Sequence, residues 1–96
     1  MRRAAKVDDN QREIVAALRA CGATVRDLSR VGEGCPDLLV GFRGRNLLIE
    51  VKRPKAKGQR AGTTTPAQDT FLGEWRGHAV VVWTVDEALR AVGVMS

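Results

Sequence analysis

The sequence predicts an α/β domain with a mixed sheet flanked by helices, in the element order α-β-β-β-α-β-α. Two runs rich in Leu, Ile and Val, residues 37–42 and 47–52, are separated by residues 43–46, which have turn character. This pattern is typical of a β-hairpin. Residues 79–83 form a continuous apolar run, which predicts a strand buried on both faces. Helix-forming residues lie between the hairpin and this run, so a βαβ crossover with parallel strands is expected.

The first helix is predicted over residues 11–21. Asn10 and Glu13 have the spacing of a capping box. Apolar side chains then recur at helical intervals until Gly22, which suits the position just after a helix. A strand over residues 23–29 is expected, mainly because the later strands need a neighbour. A loop follows, since the next residues are rich in glycine and include a proline.

Two further capping boxes predict the remaining helices. Thr65 precedes Pro66 and stands three residues before Gln68, so a second helix should begin at Pro66 and extend to about residue 76. Thr84 and Glu87 have the same spacing. We therefore expect a last helix directly after the apolar strand.

The length of 96 residues predicts one domain over the whole chain, because a chain of this size builds a single core. No apolar run approaches the roughly 20 residues that span a bilayer, so no membrane partner is expected. The basic segment 1–6 is followed by Asp8 and Asp9, which predicts that it is not a secretion signal. Cys21 and Cys35 have no disulfide-framework or zinc-site spacing, and reduced thiols in the cytoplasm are expected.

The formal net charge of +5 is concentrated in one part of the sequence. A basic block has only Glu50 as a local acid; it comprises Arg43, Arg45, Lys52, Arg53, Lys55, Lys57 and Arg60. Such a block predicts a polyanionic partner, most often nucleic acid, although a solvated surface is the alternative. Residues 53–65 have no helix or strand signal and are expected to form a long functional loop. Its candidate nucleic-acid-binding residues are Arg53, Lys55, Lys57 and Arg60.

Three charged residues interrupt the apolar hairpin: Asp37, Glu50 and Lys52. Strand side chains alternate between faces, so Glu50 and Lys52 share one face while their apolar neighbours fill the other. Buried charges are costly unless they are paired or hold a metal. Two carboxylates at one spot suit a hard divalent cation, Mg²⁺ or Mn²⁺, with the Val51 carbonyl and water as further ligands. Metal-assisted phosphodiester hydrolysis is predicted, with Lys52 orienting the attacking water or stabilising developing charge.

Whether Asp37 meets Glu50 depends on the length of the turn, because directly opposed residues share a face. A two-residue turn at 43–44 places Asp37 opposite Glu50. A four-residue turn over 43–46 places it opposite Lys52 and diagonal to Glu50. A three-residue loop without a bulge would separate the two carboxylates. The sequence leaves both even-numbered turns open.

These residues resemble a known motif, that of the PD-(D/E)XK nuclease superfamily: Pro36-Asp37, then twelve residues, then Glu50-Val51-Lys52. Flanking residues extend the resemblance to the virus-type replication-repair nuclease (VRR-NUC) domain; they are Gly34-Cys35, Arg53-Pro54, Gln68 and Phe71. The resemblance covers most of the chain, from the first predicted helix to the last.

The resemblance implies a restriction-endonuclease-like core and a Mg²⁺-dependent DNA endonuclease. By it, Asp37 and Glu50 would bind the metal, Lys52 would serve the nucleophilic water, and Glu13 and Gln68 would be auxiliary site residues. Similar domains stand alone in phages and bacteria, where DNA repair is their setting. They are often homodimers that cut junctions, so the resemblance implies a homodimer and selectivity for branched, flap or junction DNA.

The two auxiliary residues also have structural explanations. Glu13 fits the capping box of the first helix, which is a sufficient reason for its presence. Gln68 fits a cap as well, but it shares a helical face with Phe71 and Trp75, which turns it toward the sheet and favours a site role. Trp75 and Trp83 are expected to pack in the protein rather than to stack on bases.

Two other classes of function stay open. A non-catalytic nucleic-acid-binding module with the same fold would reduce Asp37, Glu50 and Lys52 to a salt-bridge cluster. A structural or inhibitory protein that binds another protein has only the exposed face of the last helix in its favour. In none of these cases is a base-reading element visible, so DNA binding should rest on phosphates and shape and depend steeply on salt.

Overall fold

The computed structural model describes residues 9–95, and the basic segment 1–6 lies outside them. The helices are α1 (Asp9–Ala20), α2 (Pro66–Glu74) and α3 (Val85–Val92). The strands are β1 (Thr24–Asp27), β2 (Leu38–Phe42), β3 (Arg45–Val51) and β4 (Ala79–Val82). Within residues 9–95, every helix is too short or too polar to traverse a lipid bilayer.

The four strands form one sheet in the order β1-β2-β3-β4. β2 is antiparallel to both of its neighbours, β1 and β3. β3 and β4 are parallel and are connected through α2. The predicted α/β domain with a mixed sheet is therefore confirmed. The prediction that the last strand is buried on both faces is wrong, because β4 is an edge strand and only its Val82 is buried.

The hairpin has the shorter of the two turns that the sequence left open. Phe42 pairs with Arg45, so two residues form the turn, and both have positive φ, 52° at Arg43 and 80° at Gly44. Positive φ at both central positions is the requirement of a type I′ turn, whose twist matches that of the strands. The guanidinium of Arg43 lies 4.8 Å from the centre of the Phe42 ring, which holds this residue over the strand.

The hydrophobic core lies between one face of the sheet and the helices α1 and α3. Ile14 and Leu18 of α1 are fully buried, and Ala88 and Val92 of α3 are nearly so. Alternate strand residues meet these helices, as the period of two predicts. They are Val25, Leu38, Val40, Leu47, Ile49 and Val82.

The opposite face of the sheet carries Glu50 and is covered only in part. α2 lies over this face, since the Gln68 side chain contacts that of Glu50, but none of the residues of α2 is buried. On the same face, Leu48 is 7% exposed and Leu39 is 37% exposed. The sheet is therefore flanked by helices on both faces, with a full core on one of them.

Helix starts match the sequence at two of the three predicted capping boxes. Thr65 with Gln68 and Thr84 with Glu87 form both reciprocal hydrogen bonds of the box. The box at Asn10 is wrong, because Asn10 lies inside α1 and its side chain bonds to the carbonyls of distant residues. The position of Asn10 is therefore set by tertiary contacts and not by its helix.

Candidate active site

A cavity of about 550 Å³ lies where β3 ends, β2 begins and α2 starts. Its walls include Asp37, Glu50, Lys52 and Gln68. The register explains the first two, since the pairing of Leu38 with Ile49 continues by one step to Asp37 and Glu50. The structure thus brings together four of the five residues that the sequence selected as catalytic.

Glu50 is the one charged residue that is buried within the described range 9–95, with 2% of its surface exposed. Its Oε2 lies 3.3 Å from Nζ of Lys52 and accepts a 2.9 Å hydrogen bond from Nε2 of Gln68. Its Oε1 is buried and has no hydrogen-bond partner among those residues. Leaving a buried acceptor unsatisfied costs roughly 1–3 kcal/mol, which a bound cation would offset.

Asp37 lies just before β2 and is half-buried. Its Oδ2 accepts a 2.9 Å hydrogen bond from the backbone N–H of Val51. The N–H and C=O of one strand residue point toward the same neighbouring strand. The Val51 carbonyl, which the sequence suggested as a third ligand, therefore lies on the Asp37 side of β3.

The two carboxyl groups influence each other's protonation. Burial and then the charge of Asp37 raise the pKa of Glu50 to about 7, although the Lys52 ammonium acts in the opposite direction. Burial also raises the pKa of Asp37, against the hydrogen bond from Val51, which lowers it. The pair therefore resists carrying two full negative charges, and a divalent cation would favour the doubly ionised form.

Lys52 follows β3 directly, and its side chain is 14% exposed. Its backbone N–H donates to the Val82 carbonyl at 2.9 Å, and its carbonyl accepts a 2.9 Å hydrogen bond from Nδ2 of Asn10. The same Nδ2 also donates to the Trp83 carbonyl at 3.2 Å. Asn10 thus joins the ends of β3 and β4 and fixes the backbone from which Lys52 projects.

Gln68 both caps α2 and contacts Glu50. Its Oε1 accepts a 2.9 Å hydrogen bond from the backbone N–H of Thr65, which completes the cap of α2. Its Nε2 donates to Glu50 in the cavity. Because the cap holds the oxygen, the nitrogen of the same amide group is directed toward Glu50.

The long loop is confirmed, since the residues between β3 and α2 form neither helix nor strand. Hydrogen bonds between residues near its two ends close the loop. Gly62 donates its N–H to the Arg53 carbonyl at 2.8 Å, and the Arg53 guanidinium donates to the Arg60 carbonyl. Nε1 of Trp83 donates to the Gly62 carbonyl at 2.8 Å. Trp83 therefore holds the loop beside the cavity, a contact that the expected packing role did not include.

The basic residues of the loop divide into two groups. Arg53 lines the cavity, but part of its guanidinium is used to hold the loop backbone. Lys55, Lys57 and Arg60 have exposed side chains. All four predicted nucleic-acid-binding residues are thus exposed, and Arg53 is the one among them that lines the cavity.

Glu13 is the selected residue that the structure does not bring to the cavity. It is exposed and lies along a different surface of α1, together with Val15 and Arg19. Asp9, one turn earlier, lines the cavity instead. Sequence reasoning missed Asp9, although its i, i−4 position relative to Glu13 was a usable signal. The cavity meets the first turn of α1, and Glu13 is one turn farther along the helix.

The donor set fits a magnesium-type ion with few protein ligands. In the part of the chain from 9 to 95, no group of three or more His, Cys, Asp or Glu side chains could hold a metal ion. Mg²⁺ keeps several waters and is usually bound by one or two carboxylates, so a larger cluster is not required. The unpartnered Oε1 of Glu50 and the opposed Asp37 are the features that suit it.

Comparison with protein-family models, with curated proteins and with solved structures gives no match. The fold and the site together define the class of this protein: a small α/β domain with a buried carboxylate, paired with a lysine, at the end of a hairpin.

Proposed function

We propose that this chain is a Mg²⁺- or Mn²⁺-dependent deoxyribonuclease of the PD-(D/E)XK superfamily, with the restriction-endonuclease-like core of a VRR-NUC domain. One observation carries the proposal. Glu50 is buried opposite Asp37 and beside Lys52, and its Oε1 has no hydrogen-bond partner among residues 9–95. A sheet that served stability alone would place an apolar residue there, as it does two positions earlier at Leu48.

Each residue has a distinct part in the proposed reaction. Asp37, Glu50 and the Val51 carbonyl would hold the metal ion, which when bound polarises the phosphate and lowers the pKa of its water. Lys52 presents its ammonium to the same space, where it can orient the attacking water or balance the negative charge that develops on the phosphate. Gln68 fixes Oε2 of Glu50 by a hydrogen bond and leaves Oε1 free.

DNA with a branch, flap or junction is the proposed substrate. The exposed Lys55, Lys57 and Arg60 follow Lys52 closely in the chain, so a phosphate backbone that contacts them runs past the carboxylates. Phosphate contacts position a nucleic acid but do not read its sequence. Selectivity in this proposal therefore comes from DNA shape. A homodimer, which would present two such sites to a junction, is part of the same proposal.

The test is a cleavage assay on flap, four-way and linear DNA with Mg²⁺ or Mn²⁺. We expect wild-type cutting that Asp37→Ala and Lys52→Ala each reduce roughly 100-fold or more, because each removes a group that acts on the transition state. Asp86→Ala, an exposed change at the start of α3, is the matched control and should cut normally.

Two outcomes would contradict the proposal. Cleavage that survives both substitutions would mean that the reaction occurs elsewhere. DNA binding by the wild type without cutting in either metal would identify the non-catalytic binding module with the same fold, in which the Glu50–Lys52 pair is only a salt bridge.

A further inference from the structure

α2 connects the carboxylate site to an exposed aromatic pair. Gln68, Phe71 and Trp75 recur at i, i+3 and i+7, so they lie on one side of the helix. Trp75 follows the last helical residue, and its backbone N–H still donates to the Phe71 carbonyl at 2.9 Å. At about 1.5 Å of rise per residue, Trp75 lies roughly 10 Å along the axis from Gln68.

The two rings are stacked, and the outer one is open to solvent. The ring centroids of Phe71 and Trp75 are 5.0 Å apart, with 15° between the ring planes. A Cβ atom at Gly77 would come within 2.9 Å of Nε1 of Trp75, so the edge of the indole lies against the Gly77 backbone. Trp75 nevertheless keeps 47% of its surface exposed. Since Phe71 covers one face of the indole, the exposed area comes from the other face and the free edges.

Trp75 packs against Phe71, as the sequence predicts, but about half of its surface stays exposed. α2 buries none of its side chains, and among the Phe and Trp residues of the range 9–95 only Trp75 is exposed. A large apolar ring that is held rigidly and left half in water is costly for stability and useful for contact with a flat apolar partner.

The charges of α2 indicate which part of a nucleic acid could contact this ring. The helix contains Asp69 and Glu74 and no Lys or Arg, and the exposed Arg76 directly follows Trp75. A phosphate backbone would be repelled along the helix itself, whereas a nucleobase presents an uncharged π-face to the indole. Arg76 can contact a phosphate next to a stacked base, and the exposed Lys55 and Lys57 of the loop provide further cations. A base on Trp75 with its phosphates on these cations is therefore the placement that the charges favour.

We infer that Trp75, backed by Phe71, is a stacking subsite for an unpaired nucleobase of the DNA strand that is cut. The inference rests on the proposed nuclease function and adds to it a preference for single-stranded segments near the scissile phosphate. Trp75 lies roughly 10 Å along the axis of α2 from Gln68, which contacts Glu50, so the stacked base is within a few nucleotides of the carboxylates. Base-paired DNA cannot present such a base, so the subsite selects flaps and frayed ends over intact duplex.

The test is a comparison of two oligonucleotides that differ only in their bases. Binding of an oligothymidine of about 12 nucleotides and of an abasic strand of equal length is measured in EDTA, where no metal supports hydrolysis. Trp75→Ala should bind oligothymidine about tenfold more weakly and the abasic strand as the wild type does. Trp75→Phe keeps an aromatic ring and should retain most of the oligothymidine affinity.

Two further readouts separate stacking from a fold defect. Oligothymidine should quench tryptophan fluorescence in the wild type, and the quenching should be largely lost in Trp75→Phe, where only Trp83 emits. Trp75→Ala should leave the salt dependence of binding unchanged, since the indole does not touch a phosphate in this arrangement. The matched control is Glu74→Gln, the exposed neighbour, which should keep the preference for oligothymidine over the abasic strand.

The inference is overturned if Trp75→Ala binds both strands as the wild type does, or if the wild type shows no quenching and no preference for the strand with bases. Its failure is distinguishable from failure of the nuclease proposal. Cleavage in Mg²⁺ without base-dependent binding would remove the subsite alone. Base-dependent binding without cleavage would retain the subsite in a non-catalytic protein.

Discussion

Glu50 lies on a strand whose neighbouring residues serve packing. Leu47, Leu48 and Ile49 before it are all buried, and Glu50 is buried to the same degree although it can carry a charge. Its interactions are a lysine at 3.3 Å and an amide at 2.9 Å, both on one oxygen, which leaves the other oxygen without a hydrogen bond among the residues described. A buried acceptor without a hydrogen bond reduces stability, and in the proposed function it is the oxygen that would bind the cation.

Stability without metal is expected to fall as the pH rises. The pKa of Glu50 is about 7 in the folded protein against an ordinary value of 4.5, so between these values the folded protein binds more protons than the unfolded chain. The free energy of unfolding therefore decreases across this window and levels off above it. At about 1.4 kcal/mol per pKa unit, the expected decrease is roughly 3 kcal/mol, measured by urea unfolding in EDTA.

The matched variant is Glu50→Gln, which removes the titrating group and should flatten this pH dependence. Asp86→Asn changes an exposed carboxyl at the start of α3 and should leave the dependence as it is in the wild type. A free energy of unfolding that increases over the same window would show that Glu50 is ionised at low pH and that its burial does not govern its charge.

α2 reaches the cavity because its first turn lies directly on the loop before β2. Gly34 has a φ of 78°, and a Cβ atom there would come within 2.2 Å of the Ala67 carbonyl oxygen. The absence of a side chain at Gly34 thus permits the approach that lets Gln68 bond to Glu50. Gly34 therefore affects the site indirectly, because it allows α2 to lie where Gln68 reaches Glu50.

Gly34→Ala is expected to separate α2 from this loop. The substitution combines a strained backbone with the contact to Ala67, and we expect a loss of roughly 3 kcal/mol of stability together with a large loss of cleavage. Gly32 provides a matched control in the same loop, because its φ is 81° and nothing lies within 4 Å of an added Cβ atom. Gly32→Ala should cost about 1 kcal/mol and keep cleavage.

Equal losses of stability and activity in both variants would contradict this explanation, since they would show that backbone strain alone is responsible. Thermal unfolding and the cleavage assay on flap DNA measure the two quantities.

The elements that could be predicted from the sequence are those whose causes are local. The caps at Thr65 and Thr84 depend on residues three positions away, and the hairpin depends on two apolar runs around a glycine turn. Asn10 could not be predicted, because the carbonyls that it bonds are 42 and 73 residues away in the chain. The partial burial of β4 could not be predicted either, since it depends on the place of β4 at the edge of the sheet that residues 9–95 form.

The candidate site likewise contains residues that local patterns predict and residues whose place depends on the packing of the whole molecule. Asp37, Glu50 and Lys52 could be selected because strand alternation and turn length relate them within one hairpin. Asp9 was missed because packing against the sheet and α3 decides which end of α1 meets the cavity. The exposure of Trp75 required knowledge of how little of α2 is covered.

Charge is distributed unevenly over the molecule. The net charge is +5, and the exposed lysines of the long loop follow Lys52 in the chain, while α2 contains Asp69 and Glu74 and no Lys or Arg. A polyanion is therefore attracted to the loop more than to α2. A hydrogen bond between Arg53 and Gly62 closes the loop that carries these lysines, and both residues line the cavity.

The salt dependence of DNA binding is expected to change when loop lysines are removed. Replacing both Lys55 and Lys57 with Ala should make the slope of log K against log salt concentration less negative by about 1 for each phosphate that the variant no longer neutralises. Affinity should fall equally for all DNA sequences, as a filter-binding titration at several salt concentrations would show. Arg90→Ala removes an exposed charge from α3 and should leave the slope unchanged. An unchanged slope in the double variant would place the phosphate path elsewhere.

The two-residue turn at Arg43 and Gly44 has a consequence for how this protein can change during evolution. A three-residue turn that took Arg45 out of β3 would shift the register by one and move Asp37 away from the face of Glu50, unless a bulge absorbed the shift. A residue inserted between Arg43 and Gly44 that stays in the loop changes none of the strand pairs. Turns of different length are therefore compatible with the site as long as Phe42 still pairs with Arg45, so hairpin variants should vary in the loop and keep this pair.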